Sequence, residues 1–203
     1  VSPLPAHAAG VTIATCIVAL SIVGFVNAQL LHVKRVAIPG PTTVRGRTLV
    51  QISDVHIGSR SPRLLERIVR RVNSLAPDYV LITGDLIDSS AAVEPVYGFL
   101  LQIHAPLGVW FSPGNWEHTT LRQRPKDYYR DSQLHVLVNE GVALRDDVWL
   151  VGLDDAFAGW PRPEIAFANA PAGPVRIAMI HAPSAFEMVD GKFAFNAQSV
   201  TTV

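Results

Sequence analysis

Residues 48–58 read TLVQISDVHIG and residues 79–88 read YVLITGDLID. Each opens on a short apolar run and stops at a polar cluster, Ser53-Asp54-Val55-His56 in the first and Gly84-Asp85 in the second. Short runs rich in Val, Ile and Leu, bounded by polar or glycine residues, are the pattern of buried strands. Between them Ser61-Pro62 supplies a helix cap and first turn. Leu64, Leu65, Ile68, Val69, Val72 and Leu75 then fall on one helical face, with Arg63, Glu66, Arg67, Arg70 and Arg71 opposite. The stretch is a strand–helix–strand unit.

Outward from this unit, Val109–Ser112, Val148–Leu153 and Val175–Ile180 repeat the strand pattern, and Asp88–Ile103 predicts a weaker helix with Pro95 near its start. Strands alternating with helices give an α/β layered fold with a parallel component, in which ligands bind beyond the carboxyl ends of the strands. The chain of 203 residues holds 17 Lys+Arg against 17 Asp+Glu, and one cysteine. A neutral balance argues against a phosphate-backbone binder, so no nucleic-acid partner is expected. A single cysteine excludes an intramolecular disulfide framework and a Cys-rich zinc module.

Residues 1–33 contain no Asp, Glu, Lys or Arg, so every formal charge lies beyond them. Val11–Val33, read as a helix, spans roughly 35 Å at about 1.5 Å per residue, enough for a bilayer core of about 30 Å. The rival reading, a cleaved signal peptide ending near Val26-Asn27-Ala28, lacks the basic n-region such peptides carry. Lys34, Arg35, Arg45 and Arg47 follow the segment, which by the positive-inside bias places the soluble part in the cytoplasm. The expected organisation is an N-terminal apolar segment over 1–35, a Pro/Gly/Thr-rich linker over 36–47 and a folded domain over 48–203.

Four polar clusters follow strand-like runs: Asp54 with His56, Gly84-Asp85, Gly114-Asn115, and His181. Carboxylate and neutral imidazole at strand ends suit Mn, Fe or Zn, and a carboxylate with two oxygens can bridge a metal pair of the kind that clamps a phosphoryl group. Taken in order, the clusters resemble the calcineurin-like metallophosphoesterases, whose blocks run Asp-x-His, Gly-Asp, Gly-Asn-His-Asp/Glu, a lone His and Gly-His-x-His. Residues 148–159, VWLVGLDDAFAG, are similar to the membrane-anchored bacterial branch of that family.

The resemblance implies a sandwich of two mixed β-sheets flanked by helices, preceded here by one membrane helix. It also implies hydrolysis of a phosphate mono- or diester with two divalent ions. It assigns Asp54 and His56 to the first metal, Asp85 to the bridge, and Asn115 and His181 to the second metal. Asp85 and Asn115 are its catalytic positions. Anchoring at a bilayer points to a phospholipid or lipid-linked phosphate as substrate.

Two departures accompany the resemblance. The third block reads Gly114-Asn115-Trp116-Glu117-His118, with Trp116 where the family has the histidine that contacts phosphate and protonates the leaving group. Indole can donate a hydrogen bond but cannot serve as an acid near neutral pH. His118 is the candidate substitute, against the reading of a surface histidine at a helix start. The residues after His181 contain no Gly-His-x-His, so the domain is expected to be incomplete at its C-terminal end. A catalytically impaired fold serving as a binding or structural module is therefore the alternative function. Trp116 and Trp160 are the candidate substrate-binding aromatics, and Asp154 and Asp155 read as loop caps or supports of the site.

Overall fold

The computed structural model describes residues 6–27, 30–37, 46–89, 93–121, 124–145, 148–171 and 175–189. Most of the linker and the tail from Lys192, with Phe193, Phe195 and Val200, lie outside the described residues. The chain divides into two units, Val1–Arg35 and Val36–Val203.

The first unit holds helix α1, Ala6–Asn27. Its Ala8–Asn27 stretch of 20 residues is long and apolar enough to cross a membrane. The hydroxyls of Thr12 and Thr15 donate to the carbonyls of Ala8 and Val11, both at 2.9 Å, so neither polar side chain is left without a partner. The helix begins and ends earlier than the Val11–Val33 reading, and Leu30–Val33 are not helical.

In the second unit, β1 (Leu49–Ile52), β2 (Tyr79–Thr83), β3 (Val109–Ser112) and β4 (Leu134–Val136) form a parallel sheet in that order. A second sheet pairs β5 (Glu140–Arg145) antiparallel to β6 (Val148–Gly152), and β6 parallel to β7 (Val175–Met179). Among the described residues, mixed strand direction is therefore confined to the second sheet. Between β1 and β2 runs α2, Pro62–Ser74, whose N-cap Ser61 accepts from the Leu64 N–H at 3.3 Å. Between β2 and β3 lies α3, Val93–Leu100, and between β3 and β4 come α4, Asn115–Thr120, and α5, Pro125–Tyr128. Helix α6, Pro163–Ala166, lies between β6 and β7, and α7, Phe186–Val189, follows β7.

Successive side chains of a strand point to opposite faces, and the core follows from that alternation. Val80 and Ile82 of β2 join Val69 and Val72 of α2 and Val96, Phe99 and Leu100 of α3 in one cluster. Leu81, between them, faces the other way and meets Leu150 of β6 and Met179 of β7. Val151 and Ala178, on the far face of the second sheet, cluster with Ala166, Phe167 and Val189. The order of layers is helices, sheet, sheet, helices.

Helix α3 is shorter than the expected Asp88–Ile103, with residues 90–92 outside the described residues. Asp88 is used otherwise: its N–H donates to the Ile57 carbonyl at 3.2 Å, next to the isolated parallel bridge of Ile87 with Ile57.

Candidate metal centre

The carboxyl ends of β1 and β2 continue into loops that pair with one another past the last regular strand residues. Asp54 N–H donates to Gly84 O (3.2 Å), His56 N–H to Asp85 O (3.0 Å) and Ile57 N–H to Leu86 O (2.8 Å). To do this Asp54, His56 and Asp85 adopt left-handed backbone, with φ of 56°, 50° and 51°. Left-handed conformations cost an L-residue roughly 1–2 kcal/mol, and such strain collects where function needs a fixed geometry. Gly84 (φ 87°) and Gly114 touch at the base of the loops: a Cβ on Gly84 would lie 2.6 Å from the Gly114 nitrogen, and one on Gly114 would lie 2.3 Å from Asp85 Oδ1. Neither position has room for a side chain.

These loops converge on Asp85, which is 3% exposed. Its Oδ1 accepts the Trp116 backbone N–H at 2.9 Å. Its Oδ2 lies 3.9 Å from His56 Nε2 and 3.5 Å from His181 Nε2, between the two imidazoles. Asp54 Oδ1 is 3.9 Å from His56 Nε2. Ligand atoms of Asp54, Asp85 and His181 all fall within 4.8 Å of one another. Asn115 Oδ1 stands 3.2 Å from His181 Nε2. The five residues expected as ligands thus meet in one place, although Asn115 and His181 come from different sheets.

The donor set fits a cation. His181 Nδ1 lies 2.9 Å from the Thr83 carbonyl, an acceptor, so Nδ1 carries a proton, and in the neutral ring Nε2 offers its lone pair to a cation. That lone pair faces the oxygens of Asn115 and Asp85, three electron-rich atoms together. Two donors each about 2.1 Å from one ion stand roughly 3.0–3.4 Å apart, close to the 3.2 and 3.5 Å on the His181 side and exceeded by the 3.9 Å on the His56 side. Burial raises the Asp85 carboxyl above its ordinary range, the Trp116 N–H and the imidazoles of His181 and His56 pull it down, and the Asp54 charge pushes it up. A cation at the cluster would favour its ionised form. Carboxylates, imidazoles and an amide oxygen are the donors suited to Mn, Fe or Zn.

Trp116 stands at the edge of the cluster, 41% exposed, its ring edge-on to His56 with centroids 5.6 Å apart. His118 is held elsewhere: its Nε2 is 2.6 Å from Asp154 Oδ1, beyond the end of β6. This hydrogen bond raises the His118 pKa against the effect of burial. In Asp154, burial pushes upward but the His118 contact and the Trp160 N–H outweigh it, so the carboxyl is lowered. Asp154 and Asp155 both cap a loop. Asp154 Oδ2 accepts Trp160 N–H at 2.9 Å, and Asp155 Oδ2 accepts the N–H groups of Phe157 and Ala158 at 2.8 and 2.7 Å. The loop so fixed presents Phe157 and Trp160, each 76% exposed.

Glu117 carries a part of the site that the sequence reading passed over. It is 1% exposed and accepts backbone N–H groups from the second and third blocks. A signal was present: glutamate three residues after a helix N-cap reaches back to the cap's N–H, and Glu117 stands in that relation to Gly114.

The family model for calcineurin-like phosphoesterases matches residues 47–197, and the chain belongs to that family. It is 38% identical over 154 residues to the "transmembrane protein with metallophosphoesterase domain" of Bos taurus, covering 67% of this chain and 34% of that protein. It is 30% identical over 178 residues to the "UDP-2,3-diacylglucosamine pyrophosphatase LpxG" of Chlamydia muridarum, covering 62% of this chain and 54% of that protein. The chain therefore spans about a third and about half of these relatives. Among solved structures, the Pseudomonas putida nuclease MPE aligns over 65% of this chain and 59% of its own, with 18% identity and a TM-score of 0.35.

Proposed function

We propose that this domain hydrolyses a phosphate mono- or diester with two divalent ions, on a substrate that is lipid-linked. The observation that carries the reading is the placement of Asp85 Oδ2 between His56 and His181, with Asp54 and Asn115 on either side. Asp54 and His56 would hold one ion, Asn115 and His181 the other, and Asp85 both. Divalent ions so held polarise phosphoryl oxygens and make a deprotonated water available near neutral pH. The chain's own contribution is orientation. The Trp116 N–H fixes one Asp85 oxygen so that the other faces both imidazoles, and Thr83 fixes the His181 tautomer. Such supports of ligands typically matter 10- to 100-fold, by the order of magnitude known for outer-shell partners.

Trp116 cannot supply the leaving-group proton. His118 is the candidate source, because Asp154 favours its protonated form and it lies one helical turn from Asn115. Trp116 and Trp160 are the exposed aromatics on which the apolar part of a substrate would rest. A lipid-linked substrate agrees with the apolar helix α1 and with a relative named for a diacylglucosamine nucleotide. In this reading α1 anchors the chain in a bilayer, with Lys34 and Arg35 placing the domain on the cytoplasmic side.

The test is hydrolysis of bis(p-nitrophenyl) phosphate with added Mn²⁺ by the full chain and its Asp85→Asn variant. Turnover that needs metal and disappears in the variant supports the reading, and equal rates in the two proteins contradict it. The tryptophan at the acid position favours a second reading, a fold that binds phosphate esters without turning them over. Saturable binding of the diester with no turnover at any metal concentration would establish that reading instead.

A further inference from the structure

We infer that Glu117 is a positioning residue for the metal centre: it sets the backbone of the bridging ligand Asp85 and ties it to the segment that carries Asn115. The inference rests on the phosphoesterase reading above and adds to it a residue outside the ligand set.

The carboxylate of Glu117 is used on both sides. Oε2 accepts the N–H groups of Asp85 at 2.9 Å and Gly114 at 2.8 Å, while Oε1 accepts those of Leu86 at 2.8 Å and, more weakly, Ile87 at 3.4 Å. All four partners are donors, so the site calls for an acceptor-only group, which a carboxylate is and a carboxamide is not. The arrangement is reciprocal. Glu117 takes the backbone N–H of Asp85, and Asp85 Oδ1 takes the backbone N–H of Trp116, next to Glu117. This closes a ring of hydrogen bonds between the loop after β2 and the first turn of α4. Asp85 sits in that ring at φ 51°, a conformation that persists only where its surroundings over-determine it. Three fixed donors along residues 85–87 leave the loop little freedom to relax. The Asp85 oxygen that faces His56 and His181 is aimed by the same fixed peptide.

Glu117→Gln keeps the shape but turns an amide NH₂ toward backbone N–H donors on one side, whichever way it is placed. With the full chain, the Mn²⁺ dissociation constant by calorimetry and kcat for bis(p-nitrophenyl) phosphate should each worsen about 10- to 100-fold, with KM little changed. Glu117→Asp, which keeps the charge and both acceptors on a shorter arm, should recover part of the loss. A Glu117→Gln protein that unfolds cooperatively yet binds Mn²⁺ and turns over like the wild type overturns the inference, even if its Tm is lower. Should the variant not fold, hydrogen exchange of the wild type decides: the amides of Asp85, Leu86 and Gly114 should be strongly protected. Exchange at free-peptide rates there would overturn the inference. A wild type that binds no Mn²⁺ instead overturns the phosphoesterase reading, and this inference with it.

Discussion

The two sheets supply the centre in different ways. The four-stranded sheet builds it from backbone: the loops after β1 and β2 pair with each other, three of the proposed ligands, Asp54, His56 and Asp85, adopt left-handed conformations, and Gly84 and Gly114 meet where no side chain fits. The three-stranded sheet delivers side chains from regular strand ends. Gly152 of β6 pairs with Met179 of β7, which sets Asp154 and His181 two residues beyond at matching heights. One is held by His118 and the other by the Thr83 carbonyl. Change on the first side should disturb the centre's framework, while change on the second should remove one function and leave the fold.

The largest expected effect is on the first side. Asp85→Asn should lower metal-dependent turnover by more than about 10²-fold, since losing a shared ligand exceeds the 10- to 100-fold typical of losing a ligand's support. Gly84→Ala should then destabilise the domain by roughly 2–4 kcal/mol, from left-handed strain plus overpacking against Gly114, read as a lowered denaturation midpoint. On the second side, His181→Ala should abolish tight binding of one of the two Mn²⁺ ions while shifting Tm little. A large fall in Tm would erase the contrast between the sheets.

His118→Asn sharpens the contrast further. If His118 donates the leaving-group proton, the variant should lose up to about 10²-fold on an alkyl phosphate ester and little on an aryl one. Because its pKa is raised above the ordinary 6.5, the wild-type rate on alkyl esters should hold through pH 6.5 and fall as pH climbs past the raised value. The same pair predicts a stability profile. His118 contributes fully below 6.5 and loses its contribution as pH rises through its raised pKa. Asp154 contributes fully above 3.8 and loses it as pH falls through its lowered pKa. The Tm difference between wild type and variant should therefore be greatest between those two values. The smallest effect is expected for Trp160→Ala, a rise of a few-fold in KM for an acylated substrate with kcat unchanged, as befits one exposed aromatic contact.

The sequence made the β1–α2–β2 unit legible because its apolar runs are fully patterned: all of β2 is buried, and the apolar face of α2 meets it. Strands β4 and β5 were not legible, since one has three residues and the other lies half-exposed at the sheet edge without alternating burial. The five proposed ligands follow from block order alone, but their meeting could not be read from spacing, because His181 Nε2 reaches Asn115 across two sheets. Glu117 stayed hidden because its chemistry is directed at main-chain donors, which leave no mark in side-chain patterns apart from the cap relation to Gly114.

The most direct test of the account is elemental analysis of the full chain purified in detergent and loaded with Mn²⁺, beside Asp85→Asn treated identically. The wild type should hold close to two ions per chain and the variant neither, because Asp85 would serve each. Metal-free wild type, or a variant that keeps its ions, would contradict it.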